Sequence, residues 1–235
     1  VEKIYSESDR VKELIEKYKF EKTTEFGCVK KFSYKNKEYS CAYLTEADSI
    51  DHISKKIDLK NINSVFEIGG GFGAHIHFLL TNFKNIKKII YLDIASNLYV
   101  GTEYLKSFYG NAVKDYLNTA NLSEIKFENN DELEIICIPT WQIKNINCKI
   151  DHFHNASSFV EIPKNIVEHY VDCLKKINVK SISLRTYDHG SMHFEKPEED
   201  LNLIFDNKLE ANWHKMLDGH YKKTKYLYLT GTSIF

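Results

Sequence analysis

Apolar and polar positions along this chain follow two periods, and the switches between them mark its elements. Val11, Leu14, Ile15 and Tyr18 recur at helical spacing within residues 6–19, with Ser6 or Ser8 placed to cap the helix. Residues 28–44 change to a period of two. Phe32 and Tyr34 precede Lys35-Asn36-Lys37, and Tyr39, Cys41 and Tyr43 follow it, which predicts a hairpin. Thr45-Glu46-Ala47-Asp48 has the form of a capping box and opens a helix carrying Ile50, Ile53 and Ile57. From Asn61 onward short apolar runs (65–68, 89–93, 133–138, 150–155 and 181–187) alternate with helical patterns at 74–79, 97–108 and 166–174. The tail, 225–235, alternates around Gly231 and is expected to supply closing strands. This order predicts an α/β fold with a doubly wound, mostly parallel sheet over residues 61–235. A helix and hairpin cap occupies 1–60, and the ligand lies beyond the carboxyl ends of the strands. The cap either covers the cleft or only braces the domain.

One junction carries the chemistry. The run Val65-Phe66-Glu67-Ile68 breaks into Gly69-Gly70-Gly71-Phe72-Gly73-Ala74, and a helical pattern with His75 and His77 follows at once. Glycines let the backbone reach positive φ and let a ligand touch the main chain, while free N–H groups at a helix start attract an anion. The second run closes on Asp93, where a nucleotide ribose would present its hydroxyls. Two cofactors fit. Gly69-x-Gly71-x-x-Ala74 satisfies the dinucleotide fingerprint and favours NAD. Glu67, with Gly69, Gly71 and Gly73 at alternate positions, instead resembles the first motif of class I S-adenosylmethionine (SAM) methyltransferases. There the acid lies near the methionine amino group. A carboxylate beside a pyrophosphate would repel it, so SAM is the expected cofactor; a glycine turn that binds nothing is the remaining alternative.

Composition narrows the classes. A hydrophobic fraction of 43% and a charged fraction of 28% are those of an ordinary globule, and 235 residues suffice for a full core. With 32 basic and 33 acidic residues the net charge is -1, which gives no electrostatic case for nucleic acid or an anionic membrane. No apolar run approaches the ~20 residues that span a bilayer, and no signal-peptide pattern is present. The five cysteines, without a CxxC pair, read as reduced thiols in a cytoplasmic protein. The chain opens on Val1 rather than a methionine, so an upstream segment is expected.

Five blocks then line up in order with one family. They are the glycine stretch from Val65, Tyr91-Leu92-Asp93, Tyr104-Leu105-Lys106-Ser107-Phe108-Tyr109-Gly110, Ile138-Pro139-Thr140-Trp141-Gln142-Ile143, and Asn155-Ala156-Ser157-Ser158-Phe159-Val160-Glu161-Ile162-Pro163. Together they resemble bacterial putative sugar O-methyltransferases, class I SAM enzymes often encoded among capsule and lipopolysaccharide genes. The likeness spans roughly residues 60–190 and weakens outside it. It implies a Rossmann-like class I fold, SAM as cofactor and a sugar or nucleotide-sugar acceptor, with a homodimer as one assembly it permits. His152 and His154 depart from the apolar residues expected in such a strand.

Methyl transfer to a sugar hydroxyl is an in-line displacement aided by a base. Glu161 is a candidate for that base, or else caps the helix from 164. His189, beside Asp188, is an imidazole that a carboxylate can orient, or a solvated loop residue. His154 is a further candidate, whereas His152 reads as a core histidine satisfied by backbone. Asn155 is expected to hold the methionine end of the cofactor or a sugar hydroxyl. Asp93 is assigned to the ribose, and Gly69, Gly70, Gly71 and Gly73 to the amino acid part. Thr140 and Trp141 are placed near adenine, with Trp141 as plain core the alternative. Asp151, Glu161, Asp188, His154 and His189 offer metal ligands, but no spacing selects a set, so a divalent metal is not indicated. The cap and the 190–220 segment, with His193, Trp213, His214, His220 and Tyr221, are expected to shape the acceptor pocket. The rivals are an NAD-dependent oxidoreductase, a non-catalytic SAM-binding subunit, and a methyltransferase for a small non-sugar acceptor.

Overall fold

The computed structural model describes residues 8–26, 30–187, 190–217, 223–233 and 235. Strands β3 (Ser64–Ile68), β4 (Lys88–Asp93), β5 (Val113–Lys114), β6 (Glu134–Pro139), β7 (His152–Ala156), β8 (Ser181–Tyr187), β9 (Glu210–Leu217) and β10 (Lys223–Thr232) form one sheet, in the order β5-β6-β4-β3-β7-β8-β10-β9. The strands from β5 to β8 run parallel; β10 is antiparallel to both β8 and β9. From β3 the chain winds first toward β4 and β6, then returns to lay β7 and β8 on the other side. The carboxyl ends of β3 and β7 therefore flank a topological switch point, where open sheets of this kind bind ligands. Among the described residues no helix is long and apolar enough to cross a membrane.

Alternation along each strand divides the core in two. Phe66, Ile90, Phe153, Ile182 and Leu227 pack with Val167 and Leu174 of the helix Lys164–Lys176. Val65, Ile89, Tyr91 and Tyr228 face the opposite way. They share a cluster with Leu14 of α1 (Asp9–Lys17), Phe32 of β1 (Lys31–Tyr34), Ile50 of α2 (Cys41–Ile53) and Phe78 of α3 (Ala74–Asn82). The first 60 residues thus contribute to the same core as the sheet. Ser8 caps α1, as the sequence predicts, its hydroxyl accepting from the Val11 N–H at 3.5 Å. β1 pairs with β2 (Lys37–Ser40) through a two-residue turn in which Lys35 and Asn36 both have positive φ, the hand that matches strand twist.

Two expectations here are corrected. The capping box at Thr45 does not start a helix: α2 begins at Cys41, after Ser40, and the Thr45 hydroxyl donates back to the Cys41 carbonyl at 3.4 Å. Cys41 and Tyr43 therefore lie in the helix, not in the hairpin. Their alternation misled because α2 is buried on nearly every side, so burial no longer reports a period. The first closing strand also starts earlier than the tail: β9 forms from 210–217, within the segment assigned to the acceptor pocket.

Buried charge holds the amino-terminal helices together. The Arg10 guanidinium donates to Asp48 at 2.6 and 2.9 Å and to Asp51 at 2.6 Å, and Lys17 and the Tyr18 hydroxyl also bond Asp51. Burial works to raise the Asp51 pKa, but the Lys17 and Arg10 hydrogen bonds prevail and hold it down at about 2. A carboxyl depressed in this way contributes stability above its unfolded pKa of about 4, and the contribution is lost as pH falls through the folded value. Asp51→Asn is expected to cost about 2 kcal/mol at neutral pH. The deficit relative to wild type should then shrink from about pH 4 downward. Denaturant midpoints measured across that range check this, and a pH-independent deficit would show that the charge of Asp51 is not what binds α1 to α2.

Candidate active site

The site begins where β3 stops. Gly69, Gly71 and Gly73 take φ of 74°, 58° and 90°, and Gly73 is the N-cap of α3 with no side-chain cap of its own. Gly69 is also a close approach, because a Cβ there would lie 2.1 Å from the Ser158 hydroxyl oxygen. Asp93, at the end of β4, ties the turn down: Oδ2 accepts from the Gly71 N–H at 2.9 Å and Oδ1 from the Ile94 N–H at 2.7 Å. Burial raises its pKa against the opposing pull of those two N–H groups. The Tyr91 hydroxyl lies 2.5 Å from the Gly71 carbonyl and 3.0 Å from that of Asn97.

A cavity of about 310 Å³ opens beyond the strand ends, lined by Gly69, Asp93, Asn97, Thr140, Ser157, Glu161 and Tyr170 among others. Its size is that of a small ligand site. Gly69, Asp93, Thr140 and Glu161, assigned from the sequence, thus meet on one wall. Glu161 is exposed at the end of a single 3₁₀ turn, and the helix after it has Pro163 as N-cap, so Glu161 does not cap that helix. Asn155 is buried behind the wall. Its amide donates to the Ile68 carbonyl at 2.8 Å and to Ser158 at 2.5 Å, and its Oδ1 accepts from the Phe159 N–H at 3.2 Å. These bonds hold the loop against the end of β3. Trp141 is 60% exposed, outside the cavity lining, with its indole N–H donating to the Ala120 carbonyl at 3.0 Å. His189 and Asp188 lie outside the described residues, as do His220 and Tyr221.

Behind the turn, on the face under α2, lies a polar layer. Glu67 is 1% exposed, and a Cβ on Gly70 would come within 2.6 Å of its Oε2. Next to it in register is His154, fully buried, with Nδ1 2.8 Å from the Ser183 hydroxyl and its ring stacked on His75 at 3.9 Å. His154 therefore faces away from the cavity, on the side opposite its neighbour Asn155. His152 is satisfied by Ser181 and Ser183 hydroxyls, both at 2.9 Å, and not by backbone as its sequence suggests. Glu46 of α2 lies 2.9 Å from His75 Nδ1 and 3.7 Å from the Arg185 guanidinium. Burial would raise the Glu46 pKa, but the Arg185 charge and the His75 contact overcome it and hold the group below its ordinary value. For Glu67 burial outweighs the opposing charges of His75 and Arg185 and pushes the pKa up to about 7, and His154 is pushed well down by burial and by His75.

Sequence reasoning missed Glu46, His75 and Arg185. A charge inside the otherwise uncharged run Ser181-Ile182-Ser183-Leu184-Arg185 was the available signal, and the supposed capping box concealed Glu46. In α3 His75 read as a spacer between apolar positions, although that helix is buried almost throughout.

Comparison with known proteins places this geometry in a fold. The chain is similar to the magnesium protoporphyrin IX methyltransferase of Synechocystis PCC 6803 with bound SAM, at 10% identity over 82% of this chain and 80% of that one, with a TM-score of 0.52. It is similar to the methyltransferase domain of bacterial CtHen1-CN at 10% identity, covering 78% and 96%, with a TM-score of 0.52. The mitomycin 7-O-methyltransferase aligns at 10% identity over 80% of this chain and 56% of that one, with a TM-score of 0.51. No family model matches the sequence, and no curated relative does. The chain has the Rossmann-like fold of class I methyltransferases.

The two kinds of glycine in the turn give a test. Gly69→Ala meets both the left-handed backbone and the Ser158 contact, whereas Gly71→Ala has the strain with nothing within 4 Å. Gly69→Ala is expected to cost at least about 2 kcal/mol and Gly71→Ala about 1 kcal/mol. Urea unfolding of both variants checks this; equal losses would mean that the Ser158 loop yields freely.

Proposed function

We propose that this chain is a SAM-dependent O-methyltransferase whose acceptor is a sugar hydroxyl. The sugar is nucleotide-activated and destined for a surface polysaccharide, which places the reaction in the cytoplasm. One observation carries the cofactor reading: a buried acid, Glu67, backs a side-chain-free turn whose other side is pinned by a second acid, Asp93, at the mouth of a ligand-sized cavity. An ammonium group relieves the cost of burying Glu67, and a diphosphate increases it. Structural neighbours solved with SAM or its demethylated product support the same choice over NAD. The sugar acceptor rests on the five sequence blocks alone.

SAM supplies the activated methyl carbon. The residues do the rest. Gly69, Gly70, Gly71 and Gly73 admit the amino acid part against bare backbone, and Gly70, with no Cβ, puts no side chain between the turn and Glu67. Each Asp93 oxygen holds one short main-chain bond and one long side-chain bond, from Asn97 at 3.4 Å and from Tyr91 at 3.5 Å, and the ribose hydroxyls take the place of the long ones. Thr140 stands where the cavity meets the end of β6. Asn155 fixes the wall, and Glu161, free at the rim, accepts the proton of the acceptor hydroxyl or orients it.

Calorimetry with SAM, its demethylated product and NAD tests the cofactor. The first two should bind and NAD should not; tight binding of NAD alone would make this an oxidoreductase. Asp93→Ala should weaken SAM binding by roughly 10- to 100-fold, the value of hydrogen bonds to a charged group. Glu161→Gln should lower methyl transfer to nucleotide sugars by about 100-fold or more while leaving SAM affinity unchanged. Full turnover in that variant would pass the base role to another group, and no methyl product from wild type on a panel of nucleotide sugars would leave a SAM binder.

A further inference from the structure

The polar layer behind the glycine turn contains three side chains of metal-binding type. Glu67, His75 and His154 each present one donor atom, and the three atoms lie within 4.8 Å of one another. All three residues are buried, at 1%, 5% and 0% exposure. Two of their atoms are buried with no hydrogen-bond partner among the described residues: Glu67 Oε2 and His154 Nε2. An unpartnered polar atom in a core costs free energy, and such atoms in a native fold call for an explanation.

The orientation of the imidazoles supplies one. His75 Nδ1 is engaged by the Glu46 carboxylate at 2.9 Å, and His154 Nδ1 by the Ser183 hydroxyl at 2.8 Å. A carboxylate accepts only, so the His75 proton sits on Nδ1 and its Nε2 carries a lone pair. With Ser183 accepting in the same way, His154 Nε2 does too. Histidines that bind metals are held like this, with the far ring nitrogen anchored to a carboxylate or another acceptor. The partners come from separate parts of the chain: Glu46 from α2, Ser183 from β8.

We propose that Glu67, His75 and His154 form a site for a divalent transition metal, with zinc an ion that a two-imidazole, one-carboxylate set suits. Three protein ligands leave one position of a tetrahedral ion for water or another ligand. Donors around such an ion are about 3.3 Å apart, so the cluster must contract. The two rings are stacked 14° from parallel, which keeps their in-plane lone pairs in nearly parallel planes. Ligation therefore requires one ring to tilt, and the stacking contact is lost on binding. The site is independent of the methyl-donor reading, since zinc binding is measured with no SAM present.

The test is a zinc titration of the chelator-stripped wild-type chain, followed by calorimetry and metal analysis after dialysis. One retained equivalent of zinc with sub-micromolar affinity is the expected result. His154→Phe, which keeps an aromatic ring in the core, should weaken it by more than about 100-fold, beyond the loss seen for outer partners. X-ray absorption of the zinc-loaded wild type should show two imidazoles, and it identifies the ligands even if the variant does not fold. Failure of the wild type to retain zinc overturns the proposal. So does unchanged affinity in a folded His154→Phe, or a zinc spectrum without two imidazole ligands, either of which would place the metal elsewhere. Repeating the titration with iron(II) distinguishes the ion.

Discussion

A carboxylate withdrawn from water has to be met by a cation, by hydrogen bonds or by a proton, and the layer between α2 and the sheet is organised by that requirement. Glu46, Asp48 and Asp51 are carried by one buried helix, and Glu67 on β3 lies near enough to Glu46 to feel its charge. The first three are answered. Arg185 and His75 take Glu46, Arg10 and His214 take Asp48, and Arg10 and Lys17 take Asp51. Among the described residues, Glu67 Oε2 has no such partner. Burying ion pairs adds little net stability compared with apolar packing, but it fixes geometry, because a slipped helix would strand several charges at once. α2 is thus tied to β8 through Arg185 and to β9 through His214, in addition to its apolar packing.

The strand alternation turns this constraint into a division of labour. In β7 His154 points into the charged layer and Asn155 to the other side, where it binds the end of β3 to the Ser158 loop. In β4 the Asp93 carboxylate reaches across to the turn, and its partners are main-chain N–H groups and an amide, not cations. One side of the switch point is therefore a cavity wall on which Asp93 is held by backbone N–H groups and an amide, and the other is a dense ionic layer. Gly70 is the boundary between them. A side chain there would strike Glu67 at 2.6 Å, so the glycine is required by the acid behind it as much as by any ligand in front.

What could be read from the sequence follows the same boundary. Among the described residues, five of the six parallel strands were legible because each is a short apolar run, whereas the two-residue β5 was not, and Gly69, Gly71 and Gly73 were legible because their positive φ favours glycine. Asp93 was legible as a strand-end residue and Glu161 as a residue of the loop after β7, since the fold places such positions at the mouth of the crevice. The ionic layer was not. Hydrophobic periodicity assigns a charge to the surface, so Arg185 passed unnoticed in β8, and Glu46 was read as a capping residue. His152 and His154 did stand out against an apolar expectation, yet their partners, Ser181 and Ser183, lie some 30 positions away. Pairings across a parallel sheet depend on register, and local pattern does not carry it.

Under the two proposals Glu67 is called on twice: by the ammonium of the cofactor from the front and by a metal from within. Linkage makes the consequence definite, because two ligands that share a group change each other's affinity by the same factor. If both cations engage Oε2 they compete. If each takes its own oxygen, the remaining repulsion between two positive charges across one carboxylate is offset by the ionised Glu46 behind His75. Glu46 is already held ionised by Arg185, so its charge is in place before either ligand arrives. On those proposals the buried acid on α2 lets a single carboxylate on β3 serve both faces of the turn, and it makes α2 part of the site although α2 lines none of the cavity.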